Sequence, residues 1–144
     1  MKKLLITIVI LFAAVYIVWN QFYRPIVPVG SSAQNNTALS TAFDERKSGF
    51  QIEGNGTVIR ILPDDTDGSR HQRFILKLNS GQTLLIAHNI DLAPRLSTLN
   101  EGDVVAFNGV YEWNSKGGVI HWTHHDPNGR HEAGWLKHNG QTYQ

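Results

Sequence analysis

Residues 72–88 read QRFILKLNSGQTLLIAH, and this stretch decides the fold. Phe74, Leu76 and Leu78 alternate with Arg73, Ile75 and Lys77, which is the period of a half-buried strand over Gln72 to Leu78. Asn79-Ser80-Gly81 supplies hairpin-turn chemistry, and Thr83 to His88 then runs as a second strand through Leu84, Leu85 and Ile86. Working outward, the preceding strand covers Ile52 to Leu62. Gly54 and Gly56 within it mark a bulge or a close approach, and Pro63-Asp64-Asp65-Thr66-Asp67-Gly68 ends it in a turn. Downstream, Pro94 suits the first turn of a short helix over Arg95 to Leu99. A fourth strand over Asp103 to Trp113, the turn Asn114-Ser115-Lys116-Gly117-Gly118 and a fifth strand over Val119 to Thr123 follow. Trp135 to Tyr143 forms a final hairpin around His138-Asn139-Gly140.

Three meander strands, a short helix and two more strands is the order of an OB-like Greek-key barrel. The expected fold class is therefore all-β, a five-stranded OB-like Greek-key barrel with one short helix over residues 50–144; a small sandwich of the same strands is the alternative.

The chain ahead of this domain has a different character. Leu4 to Trp19 reads LLITIVILFAAVYIVW, with Lys2 and Lys3 in front and Thr7 as its only polar residue. At 1.5 Å of rise per residue, with Phe22 and Tyr23 included, it reaches about the 30 Å of a bilayer core. Residues 1–23 are expected to be an N-terminal transmembrane helix or signal segment with its start in the cytoplasm. The nearest small-x-small site, Ser31-Ser32-Ala33, lies across Pro25 and Pro28, too far for the usual cleavage geometry, so an uncleaved anchor is favoured. The expected location is a single-pass inner-membrane protein with its C-terminal domain in the periplasm, or a secreted protein if the segment is cleaved. Residues 24–49, rich in Ser, Asn, Thr and Pro, read as a flexible linker in which Leu39 to Lys47 could form a short helix.

Composition narrows the function. The 144 residues contain no cysteine, which excludes disulfides, thiolate nucleophiles, Cys-ligated zinc and iron–sulfur clusters. The chain has a formal net charge of +1, and residues 44–144 alone carry −2, so nucleic acid is a disfavoured partner. Seven histidines stand out. In the expected topology the fifth strand runs parallel to the third, which sends six of them, with four arginines, to one rim. There Arg70, His71, Arg73, Asn89, Arg95, Asp126, Arg130 and His131 are candidate ligand-binding residues. His121 and His125, two pleats apart, are candidate metal ligands, with Zn or a similar divalent transition metal as the one cofactor considered. His88 and His124 are candidate general bases, and Asp91 is placed to orient a water. Asp64, Asp65 and Asp67 read as turn chemistry, and Trp113, Trp122 and Trp135 as packing residues.

The segments ILPDDTDGSRHQRFI, LLIAHNIDLAPR, GDVVAFNGVYEW and GGVIHWTHHDPNGRHEAGW, in that order, resemble a family of short exported bacterial proteins classed as a domain of unknown function. The resemblance covers Gly54 to Gln144. It implies a hydrophobic N-terminal segment and an envelope or secreted setting, and it carries no activity. Two functions remain open: a membrane-anchored module whose rim binds a small anionic ligand, metal or envelope partner, and a metal-assisted periplasmic hydrolase acting on phosphoesters. Protonation of all seven histidines, taking residues 44–144 from −2 to +5, adds a pH-sensing possibility.

Overall fold

The computed structural model describes residues 29–144. The anchor expected over residues 1–23 lies outside them, and no helix among the described residues is long and apolar enough to cross a membrane. The elements are α1 (Val29–Asp44), β1 (Phe50–Asp65), β2 (His71–Lys77), β3 (Thr83–Asn89), β4 (Val104–Glu112), β5 (Val119–His121), β6 (Trp135–His138) and β7 (Gln141–Tyr143).

Residues 72–88 form the antiparallel pair that their alternation requires. Gln72 faces His88, Phe74 faces Ile86 and Leu76 faces Leu84, so every second residue of β2 and β3 enters the core. The strands follow the order β1-β2-β3-β5-β4, and the free edge of β1 returns to pair with β4, closing a ring of five strands. The ring is uneven. The β1–β4 seam runs from Phe50↔Tyr111 to Thr57↔Val104, whereas β5 holds β3 through only Leu85↔Val119 and Ile86↔Ile120. That β3–β5 contact is parallel, as expected from the strand order. Inside lie Val58, Phe74, Leu76, Leu84, Ile86, Val105, Phe107, Tyr111 and Ile120, all essentially without solvent exposure. The β6–β7 hairpin extends the sheet from β4, turning through Asn139 (φ 49°) and Gly140 (φ 76°), the two left-handed residues of a tight hairpin loop.

One alternative is resolved and two expectations change. Gly54 is a site of close approach rather than a bulge: a Cβ there would lie 2.6 Å from the Phe107 ring, and the register shifts of β1 fall later, between Val58 and Arg60 and between Leu62 and Asp65. The helix expected over Arg95 to Leu99 is an irregular segment. Side chains take the place of its helical hydrogen bonds, because the buried Gln72 amide donates to Leu96 O (3.0 Å) and accepts from Leu96 N–H (2.9 Å). Ala93, Leu96 and Leu99 are thereby held in the core. The helix of the domain is instead α1, in the stretch read as a linker: it overlaps the short helix expected over Leu39 to Lys47 but runs from Val29 to Asp44. Leu39 and Ala42 join the core, Trp113 donates its indole N–H to Phe43 O (3.0 Å), and Arg46 lies 5.3 Å from the same indole. The few large apolar residues of this stretch suffice because they all meet one end of the ring.

Candidate functional site

At the opposite end from α1, the loops after β1, β3 and β5 converge on a pocket of about 290 Å³. Its polar side is Ser69, His71, Asn89, His121 and His124; its apolar side is Ala87, Leu92 and Trp122. Larger clefts of about 330 and 460 Å³ flank α1, but neither is lined by histidine.

The two imidazoles of clearest chemistry are set the same way. His71 Nδ1 lies 2.8 Å from Ser69 O and His124 Nδ1 lies 2.7 Å from His125 O. A main-chain carbonyl only accepts, so each ring donates from Nδ1–H, and in the neutral ring that leaves the lone pair on Nε2. His121, the third, is half-buried, with Nε2 3.7 Å from Glu112. Burial lowers its pKa against the opposing pull of Glu112, and the nearby His71 and His131 lower it further.

Trp122 organises the cluster. It holds φ at 53°, a left-handed backbone that a bulky residue adopts only when its surroundings enforce it. Gly134 packs closely on this turn: a Cβ there would fall 1.9 Å from Trp122 O, and Gly134 N–H donates to His124 O (3.0 Å). The indole is thus surrounded by imidazoles: His131 stacks on it at 4.0 Å and 23°, His124 stands at 5.3 Å and His121 at 6.4 Å. Asp126 secures the intervening loop by accepting N–H bonds from Asn128 (2.9 Å), Arg130 (2.7 Å) and His131 (3.1 Å).

The remaining expected site residues sort differently. His88 is fully buried on the inward face of β3; it accepts the Thr123 hydroxyl at Nδ1 (2.8 Å) and donates Nε2–H to Pro94 O (3.1 Å). Both nitrogens are engaged, and burial first, with His124 and His71 adding to it, pushes the pKa down to about 4. It is a neutral structural histidine with no nitrogen left for proton transfer. Asp91 binds Arg70 through both the main-chain N–H and Nε, each at 2.7 Å, so the pair is spent on each other. Arg70 holds the Asp91 carboxyl below its usual range. Arg95 grips Asp64 with two bonds of 2.5 and 3.0 Å, and Arg73 donates to Pro63 O and stands 3.7 Å from Asp65. The acidic turn read as local chemistry therefore also neutralises two of the four rim arginines, and among the described residues no arginine lines the pocket. The β alternation that would align His121 with His125 ends at Trp122, and His125 is exposed in the following loop. Among the described residues no group of three or more His, Asp or Glu gathers in a geometry that could hold a metal ion.

Sequence reasoning missed Trp122 and Gln72. Gln72 shares the inward face of Phe74 and Leu76, and that alternation was the available signal. The left-handed turn at Trp122 had none.

A five-stranded β ring with a histidine-walled pocket at one end and a helix across the other defines the class of domain. The chain belongs to the family described as Protein of unknown function (DUF3465), whose model matches residues 25–144 and so includes all of α1 with the ring. No curated protein is significantly similar to the chain.

Proposed function

We propose that this chain is a ligand-binding module whose OB-like Greek-key barrel holds a small anionic ligand in the pocket between the ends of β2, β3 and β5. The observation that carries this reading is the presence of three imidazoles and the Asn89 side chain around one small cavity whose acidic neighbour, Asp91, is already neutralised by Arg70. A protonated imidazole carries positive charge and an Nε2–H that donates to an oxyanion, so an anion held by such groups binds more tightly in acid. Glu112 beside His121, and His88 and His131 behind the wall, are the other titratable groups in reach. The segment 1–23 anchors the module as a single inner-membrane span with the ring in the periplasm, a reading that rests on its sixteen-residue apolar run after Lys2 and Lys3.

The test is calorimetric titration of the full-length chain with inorganic phosphate at pH 5.5 and 7.5. Binding should tighten at pH 5.5 and disappear in the double variant His71→Gln, His124→Gln. No binding at either pH, or binding indifferent to that variant, would overturn the reading.

One specific feature favours a second reading, a transition metal. An imidazole anchored by Nδ1–H on a carbonyl with Nε2 bare is the arrangement of a metal ligand, and His71 and His124 both have it. Such an ion would supply the Lewis acid that hydrolysis of a phosphoester needs. Titration with Zn²⁺ at pH 7.5 separates the two: tight, His71- and His124-dependent binding of the metal alone establishes the metal reading, and its absence removes it.

A further inference from the structure

The anion-pocket reading leaves half of the cavity wall unused. Trp122, Leu92 and Ala87 contribute an apolar surface beside the imidazoles. Leu92 is 46% exposed at the pocket, one of four large hydrophobic residues left exposed among the described residues. Trp122 is held in a left-handed backbone that places its indole at the wall instead of in the core. One face of that indole is covered by the exposed imidazole of His131, at 4.0 Å and 23°, and the indole also lines the pocket, whose wall does not include His131. A wall with one indole among apolar side chains on one side and imidazoles on the other suits a ligand of the same two-sided character.

We infer, resting on the anion-pocket reading, that the ligand is a planar aromatic anion: its ring packs on Trp122 and Leu92 while its acidic group reaches His71 and His124. The pocket volume, about 290 Å³, lies at the small end of known ligand sites and suits one ring system with one acidic group. An aromatic carboxylate and a mononucleotide share this chemistry.

Matched pairs of probes test it on the full-length chain at pH 5.5: benzoate against acetate, and adenosine monophosphate against inorganic phosphate. The ring-bearing member of at least one pair should bind about tenfold more tightly, the scale of one aromatic stacking contact. The pair showing the gain tells a carboxylate from a nucleotide. In Leu92→Ser, which alters an exposed side chain, and in Trp122→Asn, which keeps a residue tolerant of left-handed φ, the ring advantage, read as the ratio of affinities within each pair, should shrink to within about twofold. Equal affinities within both pairs, with phosphate still bound, would overturn the inference and leave the anion pocket standing. A Trp122→Asn loss shared equally by ring-bearing and plain anions would also overturn it. No binding by any of the four would overturn both.

Discussion

At one end of the ring α1 lays Leu39 and Ala42 onto the core and Trp113 ties the helix down, whereas at the other end the closing residues are Gln72, His88 and Thr123, each buried and each hydrogen-bonded. The first end is sealed by apolar area and the second by polar groups that satisfy one another. A seal of the first kind depends on area and tolerates most changes of pH. The second kind holds only while each donor and acceptor keeps its partner, because an orphaned buried polar group costs about 1–3 kcal/mol. The polar end is also where the pocket lies, so the part of the fold most sensitive to chemistry is the part exposed to a ligand.

The most severe break in this contrast is His88→Ala. It leaves a cavity and strands the Thr123 hydroxyl and the Pro94 carbonyl, for an expected loss of about 3–5 kcal/mol in denaturant unfolding at pH 7.5. The wild type should show a matching acid sensitivity. The folded chain keeps His88 neutral down to about pH 4, whereas the unfolded chain takes up that proton below about 6.5. Stability is therefore complete above pH 6.5 and declines as the pH falls towards 4, by about 3 kcal/mol from this residue. In His88→Ala the slope over that window should flatten. An unchanged slope would assign the acid sensitivity elsewhere.

The counterpart at the apolar end is Trp113→Ala. It removes the indole bond to Phe43 O and the stack on Phe43, and should cost about 2 kcal/mol with no dependence on pH between 5 and 7.5. Phosphate affinity should not move. If it falls, the two ends are coupled through the ring and the comparison fails.

How legible these two ends were in the sequence follows from the same physics. The strands were legible because Phe74, Leu76 and Leu78 alternate, and because Asn139-Gly140 writes its own turn; these signals are local. α1 was legible only in part: a short helix over Leu39 to Lys47 could be read, but not its start at Val29 nor its place in the core, since Leu39 and Ala42 acquire their value only from the ring end they cover. The non-helical course of Arg95 to Leu99 was hidden because its hydrogen-bond partner, Gln72, lies more than twenty residues earlier. At the site, the convergence of His71, Asn89, His121 and His124 followed from strand direction alone. The pairing of Arg70, Arg73 and Arg95 with carboxylates did not, because counting charges at a rim says nothing about which are already partnered.

A gentler change sharpens the role of those pairs. Asp91→Asn should release the Arg70 guanidinium at the pocket edge with little shift in the unfolding midpoint, since the pair is exposed. Phosphate affinity at pH 7.5 should then rise about threefold, because a charged donor no longer has an internal acceptor. A fall in affinity would mean that Asp91 positions the pocket through its bond to the Arg70 main chain and that neutralisation is secondary.

The smallest expected effect is the one that separates the neighbours His124 and His125. His124 is buried, fixed by its Nδ1–H bond and part of the pocket wall; His125 is exposed, and its contribution to the site is its main-chain carbonyl, which any residue supplies. His125→Ala should therefore leave stability within about 0.5 kcal/mol and phosphate or Zn²⁺ affinity unchanged, whereas His124→Gln weakens both kinds of binding. The strand alternation that would have made His121 and His125 partners breaks at Trp122. A loss of Zn²⁺ binding in His125→Ala would show that this loop rearranges around the ion, and it would restore the His121 and His125 pairing that the left-handed turn at Trp122 disrupts.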